Sequence, residues 1–250
     1  PLGRNPYGTA ESLAGMTAEG LRTHVQAALP PRDASLAVAG FFEWARLRDQ
    51  VEALLGDWNG PEPVAVAVQP PRRGIEQVAK ETAQVQIAFA YPAATMEDQQ
   101  YYPARLSEMV LSGGMSARLF TEVREKRGLV YAISARYHSL KDHAGMFVYA
   151  GTAPERAQET FDVTLRELRR VGEDVCQAEV DRARVQLKSA LIMQGESTSA
   201  RADALAGDYF HLGRLRGLAE LSSAIDAVTV EQVKHYVHSF PAENLTVLTI

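Results

Sequence analysis

"SGGMSARLFTEVREKRGLVYAI", residues 112–133, packs two adjacent glycines, a charged helix and an apolar strand into one short stretch. Leu119, Phe120 and Val123 fall at helical spacing and form an apolar stripe, with Arg124 at its edge. Gly128 is a natural helix stop, and arginines in the preceding turn, Arg124 and Arg127, complement the helix dipole. Beyond it, Leu129, Tyr131, Ile133 and Ala135 alternate onto one face of a strand, which makes Tyr131 a core-edge aromatic. The glycines allow two readings. Free amides at a helix start suit an anion, whereas Gly113 and Gly114 between two helices relieve backbone strain, with Ser116 as the next cap. A nucleotide loop is excluded, because no Gly-Lys-Ser/Thr ending follows.

Working outward, "QVQIAFAY" (84–91) reads as a strand, and the helix of "EDQQYYPARLSEMVL" tolerates Pro103 only near its start. After the corner, "LVYAISARYH", the polar turn "SLKDHA" and "GMFVYAG" read as a hairpin. Thr152 with Glu155 reads as a capping box opening a helix with Phe161, Leu165 and Leu168 on one face. A long helical region spans about 178–211, Thr229 with Gln232 caps another helix, and "FPAENLTVLTI" ends in a strand. Upstream, residues 9–31 read as helix with a restart at Thr17, "ASLAVAG" (34–40) as a buried strand, and 43–55 as a helix. The proline-rich stretch 61–74 reads as a linker. Helices and strands mix without strict alternation, so the fold class is α+β.

A repeat organises the chain. "MTAEGLRTHVQAALPPRDASLAVAG", from Met16, and "VTVEQVKHYVHSFPAENLTVLTI", from Val228, share one order: apolar, Thr, any, Glu, any, apolar, then helix, proline, polar turn and apolar strand. Thr17 and Thr229 are 229 − 17 = 212 positions apart. That period predicts two similar domains of which residues 1–60 supply only the close of the first, 61–74 the linker and 75–250 the whole second.

Composition narrows the function. The net charge of −5 argues against a dedicated nucleic-acid binder, and the apolar runs are too short to span a bilayer. The first residues show no charged-then-apolar leader. Cys176 is the only cysteine, so neither an internal disulfide nor a cysteine-based metal cluster is available. That usage fits a reducing compartment, and equally a cysteine-poor periplasmic protein. His235 and His238 stand three apart on a predicted helix but lack an evident third ligand, so surface histidines are the better reading. No Ser/His/Asp set stands out.

"LSGGMSARLFTEVREKRGLVYAI" closely resembles a signature of the pitrilysin-type, or inverzincin, zinc metallopeptidases, in the C-terminal "inactive" domain of bacterial members. The likeness covers nearly the whole chain, with "GTAESLAGMTAEGL" and "SLAVAG" similar to the close of that family's first domain. It implies two homologous domains in a clam shell, each a mainly antiparallel sheet layered with helices. It also implies a zinc endopeptidase whose His-x-x-Glu-His motif and distant glutamate lie in a half absent from this sequence, so no metal ligand is assigned here and zinc belongs to a missing or partner half. The implied partners are a peptide substrate and a zinc-bearing domain or subunit in a homo- or heterodimer, with no nucleic acid and no membrane, in bacterial cytoplasm or periplasm.

The resemblance carries an arginine and a tyrosine seven residues apart onto Arg124 and Tyr131; Arg127 does not fit that spacing. It places Gly113 and Gly114 where the family has a glycine-rich substrate loop, here short. It thereby implies oxyanion support from Tyr131, effective only beside a zinc-bearing half, and substrate binding by Arg124, Tyr131, Gly113 and Gly114. The competing expectation is a non-catalytic structural subunit of the same fold family.

Overall fold

The computed structural model describes residues 5–62 and 73–250. The chain divides into two compact units, Pro1–Pro71 and Arg72–Ile250. Most of the expected linker 61–74 lies outside the described residues. Its last residue, Gly74, already belongs to a strand of the second unit and pairs with Thr246.

In the first unit, the expected helix 9–31 is two helices, α1 (Ala10–Ala14) and α2 (Ala18–Ala28). Thr17 makes the break by accepting from the Gly20 amide, which satisfies a donor the helix start leaves unpaired. Helix α3 (Trp44–Leu55) lies where its spacing predicts. "ASLAVAG" is not a strand: a short 3₁₀ turn, Pro31–Asp33, leads into backbone without a ladder, and Leu36 is exposed. A strand needs a partner to take its amides and carbonyls, and the described residues of this unit provide none.

The second copy of the repeat has that partner. Thr229 caps α9 (Val230–Ser239), the chain passes through Pro241 and a 3₁₀ turn, Ala242–Asn244, and β5 (Thr246–Thr249) enters a sheet. The backbone repeats along with the residues. The positions ending the two helices, Leu29 and Phe240, have φ/ψ of −111°/80° and −122°/65°, and the prolines behind them −71°/134° and −71°/142°.

The other strands are β1 (Gly74–Gln77), β2 (Val85–Pro92), β3 (Val130–Ser139) and β4 (Ala144–Thr152). Their order is β1-β5-β2-β4-β3, antiparallel except for the β1–β5 pair. One face carries Ile87, Phe89 and Tyr91 of β2, Met146, Val148 and Ala150 of β4, Ala135 of β3 and Val247 of β5, all buried. On this face lie α4 (Tyr101–Ser112) and α5 (Ala157–Asp174), with Phe161 of α5 stacked on Phe89 at 5.4 Å. Pro103 is the third residue of α4, within the turn whose amides have no helical acceptor. Helices α9 and α6 (Gln177–Gly195) pack against this layer, followed by α7 (Thr198–Leu212) and α8 (Leu218–Asp226). The long helical region breaks at Ser197, which caps α7 through the Ala200 amide.

The other sheet face presents Ala88, Phe147, Tyr149, Arg136 and His138 to solvent. None of the described helices is long and apolar enough to cross a membrane.

Candidate functional site

The stretch 112–133 forms the corner between α4 and β3. Gly113 ends α4, and a β-carbon there would lie 2.5 Å from the Met109 carbonyl oxygen, so any side chain forces the backbone to shift. Gly114 has φ +125°, a conformation that side chains disfavour. The glycines therefore have a local cause, a tight break against α6.

The helix after them is not an α-helix. Phe120–Glu125 forms a π-helical turn in which the Lys126 amide donates to the Thr121 carbonyl, five residues back, at 2.9 Å. The Leu129 amide reaches back to the Val123 carbonyl at 3.0 Å. Leu119 and Val123 are fully buried and anchor the turn, and Gly128 ends it with φ +60°. Such turns are rare and concentrate at functional sites.

Arg118, at the base of this turn, is nearly buried. Its Nε and Nη2 each donate to Glu179 at 2.7 Å, and Nη1 donates to Asp174 at 2.6 Å. Glu179 also accepts the Cys176 amide, so one guanidinium ties the corner to the start of α6. Burial raises the Glu179 carboxyl, but the Arg118 fork and the Cys176 amide outweigh it and hold the group below its ordinary value.

The two candidate arginines differ in their commitments. Arg127 donates to the Glu122 carbonyl at 2.6 Å and to its carboxylate at 2.9 Å. Lys126 joins that carboxylate at 2.6 Å, and these two hydrogen bonds lower the Glu122 pKa. Arg124 is exposed and lies over the Phe120 ring at 5.1 Å, with no carboxylate partner among the described residues. Its donors remain available.

Tyr131 departs from the strand pattern. Val130 pairs with Thr152 and Ala132 with Gly151, so Tyr131 is the extra residue of a β-bulge. Plain alternation would aim it with Ile133 and Ala135 at the helical layer. The bulge removes it from that face and leaves it 62% exposed. The core-edge expectation for Tyr131 is therefore incorrect. The capping box expected at Thr152 is also absent. A 3₁₀ turn, Pro154–Arg156, precedes α5, and the Thr152 hydroxyl donates to the Leu129 carbonyl at 2.6 Å instead.

A concavity of about 380 Å³ lies over the open sheet face, lined by Ala88, Ala90, Ser134, Arg136, Phe147 and Tyr149 among others. It begins at Ser134, just past Tyr131; Arg124 and Tyr131 are not in its lining. Among the described residues, no three His, Cys, Asp or Glu side chains converge as a metal site. The described residues of this chain do not fit zinc. The His235 ring is 3.5 Å from the Ser239 hydroxyl.

The family model described as "Peptidase M16 inactive domain" matches residues 15–187, and the chain belongs to this family. A relative from Bacillus subtilis, called an uncharacterized zinc protease, is 28% identical over 93% of this chain and 57% of the relative. One from Streptomyces coelicolor, similarly called, is 27% identical over 93% of this chain and 53% of the relative. The chain thus spans little more than half the length of these curated relatives. The solved peptidase M16 inactive domain from Pseudomonas fluorescens superposes with a TM-score of 0.81 at 21% identity, covering 98% of this chain and 60% of that one. A protease from Helicobacter pylori gives 0.80 at 19% identity, covering 98% and 61%. These likenesses establish the fold.

Proposed function

We propose that this chain is the substrate-gripping, zinc-free part of a two-domain metalloendopeptidase, acting beside a separate zinc-bearing domain or subunit. The observation that carries the reading is the pair at the corner. Arg124 on the π-helical turn keeps its donors uncommitted, and Tyr131 is turned off the core face by a bulge seven residues on. Attack on an amide puts negative charge on the carbonyl oxygen, and a phenol O–H donates to that oxygen as the charge develops. The guanidinium presents a fork of donors for substrate carbonyls. Gly113 and Gly114, at the break just before this turn, contribute to substrate binding as the short glycine-rich loop. Strand β3 is an edge of the sheet, paired only with β4 among the described residues, so its outer amides and carbonyls accept an extended peptide as an added strand.

Zinc, by this proposal, is held by the other half, and the isolated chain neither cleaves peptides nor retains a tight equivalent of zinc. The test is Tyr131→Phe in the assembled enzyme. Turnover falls by about ten- to a thousandfold, the scale for one lost oxyanion donor, while the melting temperature is unchanged. Undiminished turnover removes Tyr131 from the mechanism and favours a structural subunit.

A further inference from the structure

We infer that the open sheet face beside β3 selects peptides carrying a large apolar side chain and an acidic side chain two residues apart. This deepens the reading above and rests on it. The inference begins from register. A peptide added along β3 continues the pleat, so alternate side chains fall on the open face beside Ala132, Ser134, Arg136 and His138.

The rows across the sheet differ. Ser134 pairs with Tyr149, which pairs with Ala88, which pairs with Leu248. Ser134 is small, so a side chain beside it passes over the hydroxyl into the concavity of about 380 Å³ floored by Ala88, Ala90 and Leu248. The walls are Phe147 and Tyr149, 49% and 42% exposed. Tyr149 is held across the sheet by its hydroxyl, which donates to Gln86. Exposed aromatics around an apolar floor are the composition of an anchor pocket.

The adjacent row begins at Arg136, which pairs with Phe147. Arg136 is exposed and has no carboxylate partner among the described residues. The five strands contain one acid, Glu76 of β1, at the opposite edge. Four interstrand spacings separate the two edges, roughly 19 Å, beyond a Debye length at physiological salt. Within the sheet, Arg136 is therefore a cation with no acid on its own or the neighbouring strands. Row spacing along β3 places the apolar pocket and this cation at i and i+2 of the same peptide. At i and i+1, one of the two side chains would point to the other face.

The test uses the complete protein with its zinc removed by chelator, so that peptides stay intact, and fluorescence anisotropy of labelled peptides. A peptide parallel to β3 presents Phe-Ala-Glu to these two rows and an antiparallel one presents Glu-Ala-Phe, so both orders are measured. In a neutral extended sequence the preferred order binds about threefold tighter than its Gln counterpart and about tenfold tighter than its Lys counterpart at low ionic strength, the scale of exposed ion pairs. Phe-Glu-Ala loses the advantage. Arg136→Glu inverts the Glu and Lys order, and Arg136→Gln levels it. Equal binding of all peptides, or an order unmoved by Arg136→Glu, overturns the inference and leaves peptide binding standing. No binding by any peptide overturns the proposed function with it.

Discussion

The Thr152 hydroxyl donates to the Leu129 carbonyl over 2.6 Å and accepts from the Thr160 hydroxyl at 3.1 Å, both buried. Leu129 is the last residue before β3, and Thr152 pairs with Val130 where the bulge begins. This one side chain therefore fastens the end of the π-helical turn to the strand that presents Tyr131. Substituting Thr152→Val keeps the volume but strands the Leu129 carbonyl and the Thr160 hydroxyl. The expected cost is about 1–3 kcal/mol, the range for leaving buried polar groups unpaired, read from urea denaturation. Amide exchange at Val130 and Tyr131 should accelerate more than exchange in β2. A uniform acceleration would mean the contact serves the whole sheet and not this corner.

Arg124 and Arg127 should separate cleanly. Arg124→Ala removes only the contact with the Phe120 ring, worth about 0.5–1 kcal/mol at an exposed site. It should leave folding nearly intact and lower kcat/KM of the assembled enzyme by tenfold or more. Arg127→Ala frees Glu122, which keeps Lys126, and should leave kcat/KM within about twofold because the guanidinium is committed to the turn. Equal kinetic losses from the two substitutions would show that Arg124 acts only by holding the turn.

Local chemistry made much of this legible in the sequence. Thr17 and Thr229 announce helix starts because a hydroxyl and a nearby amide suffice to make a cap. What stayed hidden depends on partners far along the chain. Thr152, Pro154 and Glu155 read as a helix start, yet the hydroxyl is taken by a carbonyl 23 residues away. Arg118 and Glu179 stand 61 positions apart, and no spacing rule joins them. The bulge at Tyr131 adds one residue without altering composition, so alternation assigned the ring to the wrong face. "ASLAVAG" has a strand's composition but no partner strand among the described residues. The Arg124–Tyr131 pair was found through resemblance, since the local pattern gives both residues structural roles.

Gly113 tests the corner's packing. A methyl group there meets the Met109 carbonyl, which is fixed in α4, and the Gln186 amide, which can swing aside. Gly113→Ala should cost about 1–3 kcal/mol, as overpacking does, measured as a shift of the urea midpoint with unchanged m. Gln186→Ala in the same background should restore little, because the carbonyl is the harder obstacle. Full rescue by Gln186→Ala would assign the constraint to the side chain.

Acid stability reports the Arg118 network. Asp174 and Glu179 both titrate below their ordinary values of 3.8 and 4.5. Burial raises each, and the hydrogen bonds outweigh it, from Arg170 and Arg118 on Asp174 and from Arg118 and the Cys176 amide on Glu179. A depressed folded pKa means the unfolded chain takes up protons first. The stabilisation is therefore complete above the ordinary carboxylate range and is lost as pH falls below 4.5 through the folded values. Arg118→Met should lower stability at pH 7 by about 2–3 kcal/mol, somewhat under the figure for a fully buried pair because both carboxylates reach water. It should also flatten the decline between pH 4.5 and 3, since Glu179 loses its main partner while Asp174 keeps Arg170. Urea denaturation of both proteins across that range measures this directly. Two parallel stability curves would show that Arg118 fills space at the corner without acting through its charge.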